Sequence, residues 1–87
     1  MKLVICICTY NRNNSLIKCL RSVNRLCKIS NIKIEIIVVD NSINNSSFKL
    51  VKEIKKSFKY KIIQFHEKRR GIVYARNRCL KEVKKID

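Results

Sequence analysis

The 87-residue chain contains no proline, no tryptophan, one glycine and one histidine, and six acidic side chains stand against 21 basic ones. Each shortage excludes something. One glycine cannot make a G-x-G-x-x-G dinucleotide fingerprint, and because Gly71 is followed by Ile72 there is no G-K-[ST] phosphate loop. Zinc is poorly supported by Cys6, Cys8, Cys19, Cys27 and Cys79: Cys6-x-Cys8 is not a knuckle pair, and His66 stands alone. Their odd number and irregular spacing also speak against the disulfide framework of an exported chain. Buried, reduced thiols in a cytoplasmic protein are the expectation. No apolar run approaches the roughly 20 residues of a bilayer span. The run that follows Lys2 ends at Thr9-Tyr10-Asn11-Arg12 after about six residues, too few for a signal-peptide core. A transmembrane segment is therefore not expected, and a membrane could be met only peripherally.

What is present is an apolar chain with a large positive charge. Hydrophobic residues make up 46% of it, too much for a disordered polycation, and the formal charge is +15. The length suits one domain with a thin core. Residues 1–40 hold seven basic and two acidic groups, and residues 41–87 hold fourteen and four, so the charge leans toward the second half without forming a tail. Most lysines alternate with apolar residues as on solvated helix faces. The accompanying wealth of Ile and Asn is what an AT-rich genome encodes, so part of the charge reads as compositional.

Leu3-Val4-Ile5-Cys6-Ile7-Cys8 is a short β-branched run with an abrupt polar end, which predicts a strand buried on both faces. Asn13, Asn14 and Ser15 are N-cap candidates for a helix whose apolar positions are Leu16, Cys19, Leu20, Val23, Leu26 and Cys27. A second buried strand is expected over residues 33–39. A polar loop through Asn41, Ser42, Asn44, Asn45, Ser46 and Ser47 leads to a helix with Leu50, Val51, Ile54 and Phe58 inside and Lys49, Lys52, Lys55 and Lys56 outside. Residues 60–65 predict a third strand. After a basic loop and Gly71, a third helix places Ile72, Ala75, Cys79, Val83 and Ile86 on one face. The order βαβαβα implies an α/β fold: a Rossmann-like, three-layer sandwich with a parallel sheet covered by helices, forming a single domain over residues 1–87.

Ligands of such sheets bind beyond the carboxyl ends of the strands. Those ends carry Thr9-Tyr10-Asn11-Arg12, Asp40-Asn41-Ser42 and His66-Glu67-Lys68-Arg69-Arg70-Gly71. These residue types suit a nucleotide: Tyr10 offers a stacking face, Asp40 an acceptor for a ring N–H, and Arg12, Arg76 and the helix start near Asn13 positive potential for phosphates. Structural roles are open beside these. Asp40 can equally cap the following helix, Tyr10 can cover the sheet edge, and Asn11 and Asn41 can simply form turns.

Three segments, Val4-Ile5-Cys6-Ile7-Cys8-Thr9-Tyr10-Asn11-Arg12, Ile36-Ile37-Val38-Val39-Asp40-Asn41-Ser42 and Gly71-Ile72-Val73-Tyr74-Ala75-Arg76-Asn77, resemble successive signatures of the family 2 glycosyltransferases. The resemblance spans essentially the whole chain and rests on the order and spacing of the three together. It implies the N-terminal, nucleotide-sugar-binding part of a GT-A fold, with a UDP-sugar as the first choice of donor. By this resemblance Thr9, Tyr10 and Asn11 cradle the nucleoside, Asp40 hydrogen-bonds the base with Asn41 beside it, and Arg76 lies against base or diphosphate. Gly71 and Asn77 are then structural. Relatives usually carry N-x-G before the last helix where this chain has Arg69-Arg70-Gly71, which adds two possible diphosphate contacts. Cys8 stands where relatives often have proline.

The family generally holds Mg²⁺ or Mn²⁺ on an Asp-rich motif that follows a further strand. No such motif is present up to Asp87, and Glu67 has no physical case as a base. The expectation is a donor-binding half, inactive alone, whose complete enzyme transfers a sugar to a glycan, lipid or protein acceptor; a downstream-encoded C-terminal half is a candidate partner. Two other readings are a small basic nucleic-acid-binding module and the remnant of a disrupted glycosyltransferase gene with an exposed third strand. No specific nucleic-acid signature supports the first, and weak polyanion binding would follow from the charge alone.

Overall fold

The computed structural model describes residues 2–25, 32–44 and 46–86. Strand β1 (Lys2–Thr9) leads into helix α1 (Asn13–Asn24), β2 (Lys33–Asp40) into α2 (Phe48–Lys55), and β3 (Lys61–His66) into α3 (Ile72–Ile86). The sheet is parallel in the order β1-β2-β3, so β2 is central and both neighbours are edges. The expected βαβαβα order and parallel sheet are present.

Successive side chains of β2 serve opposite faces, as the pleat requires. Ile36 and Val38 join Leu16, Leu20 and Val23 of α1, Val51 of α2 and Ile62 of β3. Ile37 and Val39 instead meet Ala75 and Cys79 of α3, with Val4, Cys8, Phe65 and Val83 around them. Helices α1 and α2 thus cover one face and α3 the other, which makes three layers. The two crossovers run in one direction along the sheet and put α1 and α2 on the same side, as equal handedness requires; α3 returns over the opposite side, against β2 and β1.

Several local expectations need correction. Strand β1 is not buried on both faces: Leu3 and Cys6 are exposed, and only Thr9 is fully buried. It is an edge, and a more open one than β3, the strand expected to lie bare. The cysteines divide as well: Cys79 is buried and Cys8 half-buried, but Cys6 and Cys19 are exposed. Helix α1 begins one residue earlier than its expected caps, after Arg12, and no side chain caps it. Ile72 is 59% exposed rather than part of the inner face of α3. Phe58 lies beyond the end of α2 yet still packs on the α1/α2 core. Leu26, Cys27, Asn45, Asp87 and the side chain of Ile86 lie outside the described residues.

Two polar features support the sheet. Glu35, 3% exposed, is flanked by Lys2 at 3.5 Å and Lys33 at 3.6 Å. On the α3 side, Arg78 lies 5.1 Å over the Phe65 ring and donates to Glu82 at 2.7 Å. Burial opposes ionisation of Glu82, but Arg78 and Lys85 outweigh it and hold its carboxyl below the ordinary value.

Candidate functional site

The register sets Thr9, Asp40 and His66 side by side at the carboxyl edge. The ladder continues one step into the loops, where Asn41 N–H donates to the Thr9 carbonyl at 2.8 Å and Glu67 N–H to the Asp40 carbonyl at 2.9 Å. The three polar loops are therefore anchored to the same ridge.

Asp40 faces the start of α2. Its Oδ1 accepts the Ser42 N–H at 2.8 Å, and its Oδ2 accepts the Ser47 N–H at 2.8 Å and the Ser47 Oγ–H at 2.6 Å. It is 1% exposed. Burial pushes its pKa up, but the Ser42 and Ser47 hydrogen bonds outweigh that push and hold the carboxyl below its ordinary value. Its partners lie in the loop and at Ser47, the residue before α2, so Asp40 braces the entry to α2 without capping an N–H of the helix itself.

Asn41, the next residue, joins the second loop to the third. Its Nδ2 donates to the carbonyls of Glu67 at 2.8 Å and Arg69 at 2.7 Å, and its Oδ1 accepts the Gly71 N–H at 3.1 Å. Gly71 has φ +125°, a conformation that favours glycine, which explains the chain's one glycine at the entry to α3. His66 contributes a further tie: its Nε2 lies 2.7 Å from the Ser42 carbonyl and must carry the proton there.

In front of this scaffold is a cleft of about 540 Å³, within the range of small-molecule sites. Tyr10, Arg12 and Arg70 supply its polar and aromatic rim, while Cys8, Ile72 and Ala75 supply an apolar wall. Thr9, Asn41 and Gly71 complete the lining. Thr9 is 7% exposed, and its buried Oγ1 has no hydrogen-bond partner. A buried hydroxyl without a partner is costly, and here it borders the cleft.

Five of the expected site residues, Thr9, Tyr10, Arg12, Asn41 and Arg70, line this cleft together. Four do not. Asn11 takes φ +49° and its Oδ1 accepts from Ser46 Oγ at 3.3 Å, so it shapes the turn. Asp40 is engaged by Ser42 and Ser47 as described. Arg69 donates to Glu67 and lies 4.8 Å over the Tyr74 ring. Arg76 is exposed on α3 beside Ala75, outside the lining. Asn77, expected to be structural, is exposed and has no described partner. Cys8, Ile72 and Ala75 were not legible as cleft residues, because their apolar pattern is also that of a core.

The carboxylates near the cleft are committed elsewhere. Glu67 is held below its ordinary pKa chiefly by the Arg69 side-chain and backbone hydrogen bonds, with Arg78 at 3.8 Å adding to them. No group of three or more His, Cys, Asp or Glu among the described residues could hold a metal ion. Likewise, no described helix is long and apolar enough to cross a membrane.

Residues 4–85 match the family described as "Glycosyl transferase family 2", from the first strand through the last helix. Neither the curated proteins nor the solved structures compared with the chain give a match. Enzymes of this family take nucleotide-sugar donors and generally use a divalent metal, for which the described residues supply no ligand set. The α/β order, the parallel sheet and the match over nearly the whole length agree: the chain belongs to glycosyl transferase family 2.

Proposed function

We propose that the cleft at the carboxyl edge of the sheet is the nucleotide-sugar donor site, with a UDP-sugar as the first donor to test. The observation that carries this reading is the unpartnered Thr9 Oγ1 at a cleft rimmed by Tyr10, Arg12 and Arg70. A nucleoside offers hydroxyl and ring groups to pair with Thr9, a flat face for Tyr10, and a diphosphate for the arginines. Asp40 then acts as a positioning residue: it holds the α2 entry and thereby the loop that begins with Asn41. Arg76, exposed on α3 and outside the lining, is kept as a further candidate contact for the base or diphosphate by the family resemblance alone.

The same arrangement supports a donor-binding rather than a complete catalytic role for these residues. Among the described residues no carboxylate lines the cleft to act as a base. The proposed whole reaction is transfer of the sugar to a glycan, lipid or protein acceptor, with this chain binding the donor and not turning it over alone.

Saturation-transfer NMR with UDP and a UDP-sugar tests the reading. Base and ribose protons should receive the strongest transfer, and Tyr10→Ala should reduce it. Equal transfer to all protons, unchanged in Tyr10→Ala, would contradict it.

A further inference from the structure

The donor reading leaves open how the diphosphate charge is met. Family membership suggests a divalent ion, but the donor set at this cleft does not suit one. Mg²⁺ and Mn²⁺ are held by oxygen ligands, usually carboxylates. Both oxygens of Asp40 and both of Glu67 already serve Ser42, Ser47, Arg69 and Arg78, and neither residue lines the cleft. The charged side chains that do line it are Arg12 and Arg70, and these would repel a dication.

The two arginines are also distinguished from their neighbours. Arg69 and Arg78 are paired with Glu67 and Glu82. The side chains of Arg12 and Arg70 have no hydrogen bond or ion pair with any described residue, although both border the cleft. They approach it from different loops, after β1 and after β3, so a ligand between them meets positive charge from two sides. Guanidinium forks match phosphate oxygens in pairs, and neither side chain need first release a carboxylate. The Asn41 bridge to the carbonyl of Arg69 and the N–H of Gly71 holds the backbone on both sides of Arg70, so that loop is already organised.

We infer that this chain binds the diphosphate of a nucleotide through Arg12 and Arg70 without a divalent metal ion. The inference rests on the donor-site reading and concerns the charge partner within it.

Isothermal titration of the 87-residue chain with UDP and with uridine, in EDTA and in excess Mg²⁺, tests it. UDP should bind in EDTA, and Mg²⁺ should not strengthen the binding. Arg70→Ala and Arg12→Ala should each weaken UDP binding by about ten- to a hundred-fold while changing uridine binding less than about two-fold. Arg70→Lys should recover part of the loss. Lys52→Ala on the exposed face of α2 removes one charge away from the cleft and should leave both affinities unchanged. Because the Arg12 and Arg70 side chains have no described partners, and the Arg12 carbonyl that accepts from Leu16 N–H is kept in the variant, circular dichroism melts of their variants should match the parent. UDP binding that requires Mg²⁺ would overturn the inference and leave the donor site standing. A loss in Arg70→Ala and Arg12→Ala no larger than in Lys52→Ala would also overturn it. Failure of both UDP and uridine to bind would remove the donor site and the inference together.

Discussion

The side chain of Asn41 holds the backbone of Gly71: Oδ1 of the amide accepts the Gly71 N–H at 3.1 Å across the gap between the β2 and β3 loops. The same amide donates to the carbonyls of Glu67 and Arg69, so one side chain sets the path of the loop that presents Arg70. Asn41→Ala breaks three hydrogen bonds and should cost about 2–3 kcal/mol at roughly 1 kcal/mol each. Asn41→Asp keeps an acceptor for Gly71 but loses the donors and leaves a carboxylate facing two carbonyls. It should therefore be no more stable than Asn41→Ala. Chemical denaturation of the three proteins measures both differences.

Gly71→Ala should destabilise the chain by about 1–3 kcal/mol, because φ +125° strains any residue with a Cβ. Crowding contributes little, since the added carbon would meet Tyr74 Cδ2 at an ordinary 3.6 Å. Gly71→Ala and Gly71→Ser should therefore cost nearly the same, whereas a packing clash would separate them in thermal melts.

Thr9→Val should separate stability from binding. It removes a buried hydroxyl that has no partner, so the fold should be as stable as the parent or up to about 1–2 kcal/mol more stable. The same change removes the group assigned to the nucleoside, and UDP affinity should fall. Higher stability with unchanged affinity would show that the hydroxyl plays no part in binding.

Stability should decline in acid. Asp40 and Glu67 both have pKa values below their ordinary 3.8 and 4.5, so in this range the unfolded chain binds more protons than the folded one. Their contribution is complete above about pH 5 and is lost as pH falls through the lowered folded values. Ser47→Ala removes the 2.6 Å donor to Asp40 and should shrink that acid-sensitive part while costing about 1–2 kcal/mol at neutral pH. Denaturation midpoints between pH 7 and pH 3 check the sign.

The element order was readable because each strand is a compact apolar run and each helix has a periodic inner face. Leu16, Leu20 and Val23 show it for α1, and Ala75 and Cys79 for α3. Exposure was harder to read. Leu3 to Cys8 is as apolar as β2, and nothing in its composition says that the edge position leaves Leu3 and Cys6 open. The strand-end rule located the cleft, but residue type alone did not say which polar side chains face it. Asp40 and Asn41 are adjacent polar residues; Ser47, seven positions beyond Asp40, is what commits Asp40 to the α2 entry, and that partnership exists only once the loop has folded. Arg69 and Arg70 are likewise identical in type, and only the positions of Glu67 and Tyr74 separate a paired arginine from one that lines the cleft.

The central claim is that the nucleotide occupies the cleft at the ends of β1, β2 and β3. An amide-correlation NMR titration of the isotopically labelled chain with UDP tests it most directly. The expected result is saturable shifts concentrated at Thr9, Tyr10, Arg12, Asn41, Gly71 and Ala75. Shifts spread over the exposed lysines of α2, including Lys49, Lys52 and Lys55, and abolished by moderate salt would instead show that +15 of charge collects anions without a site.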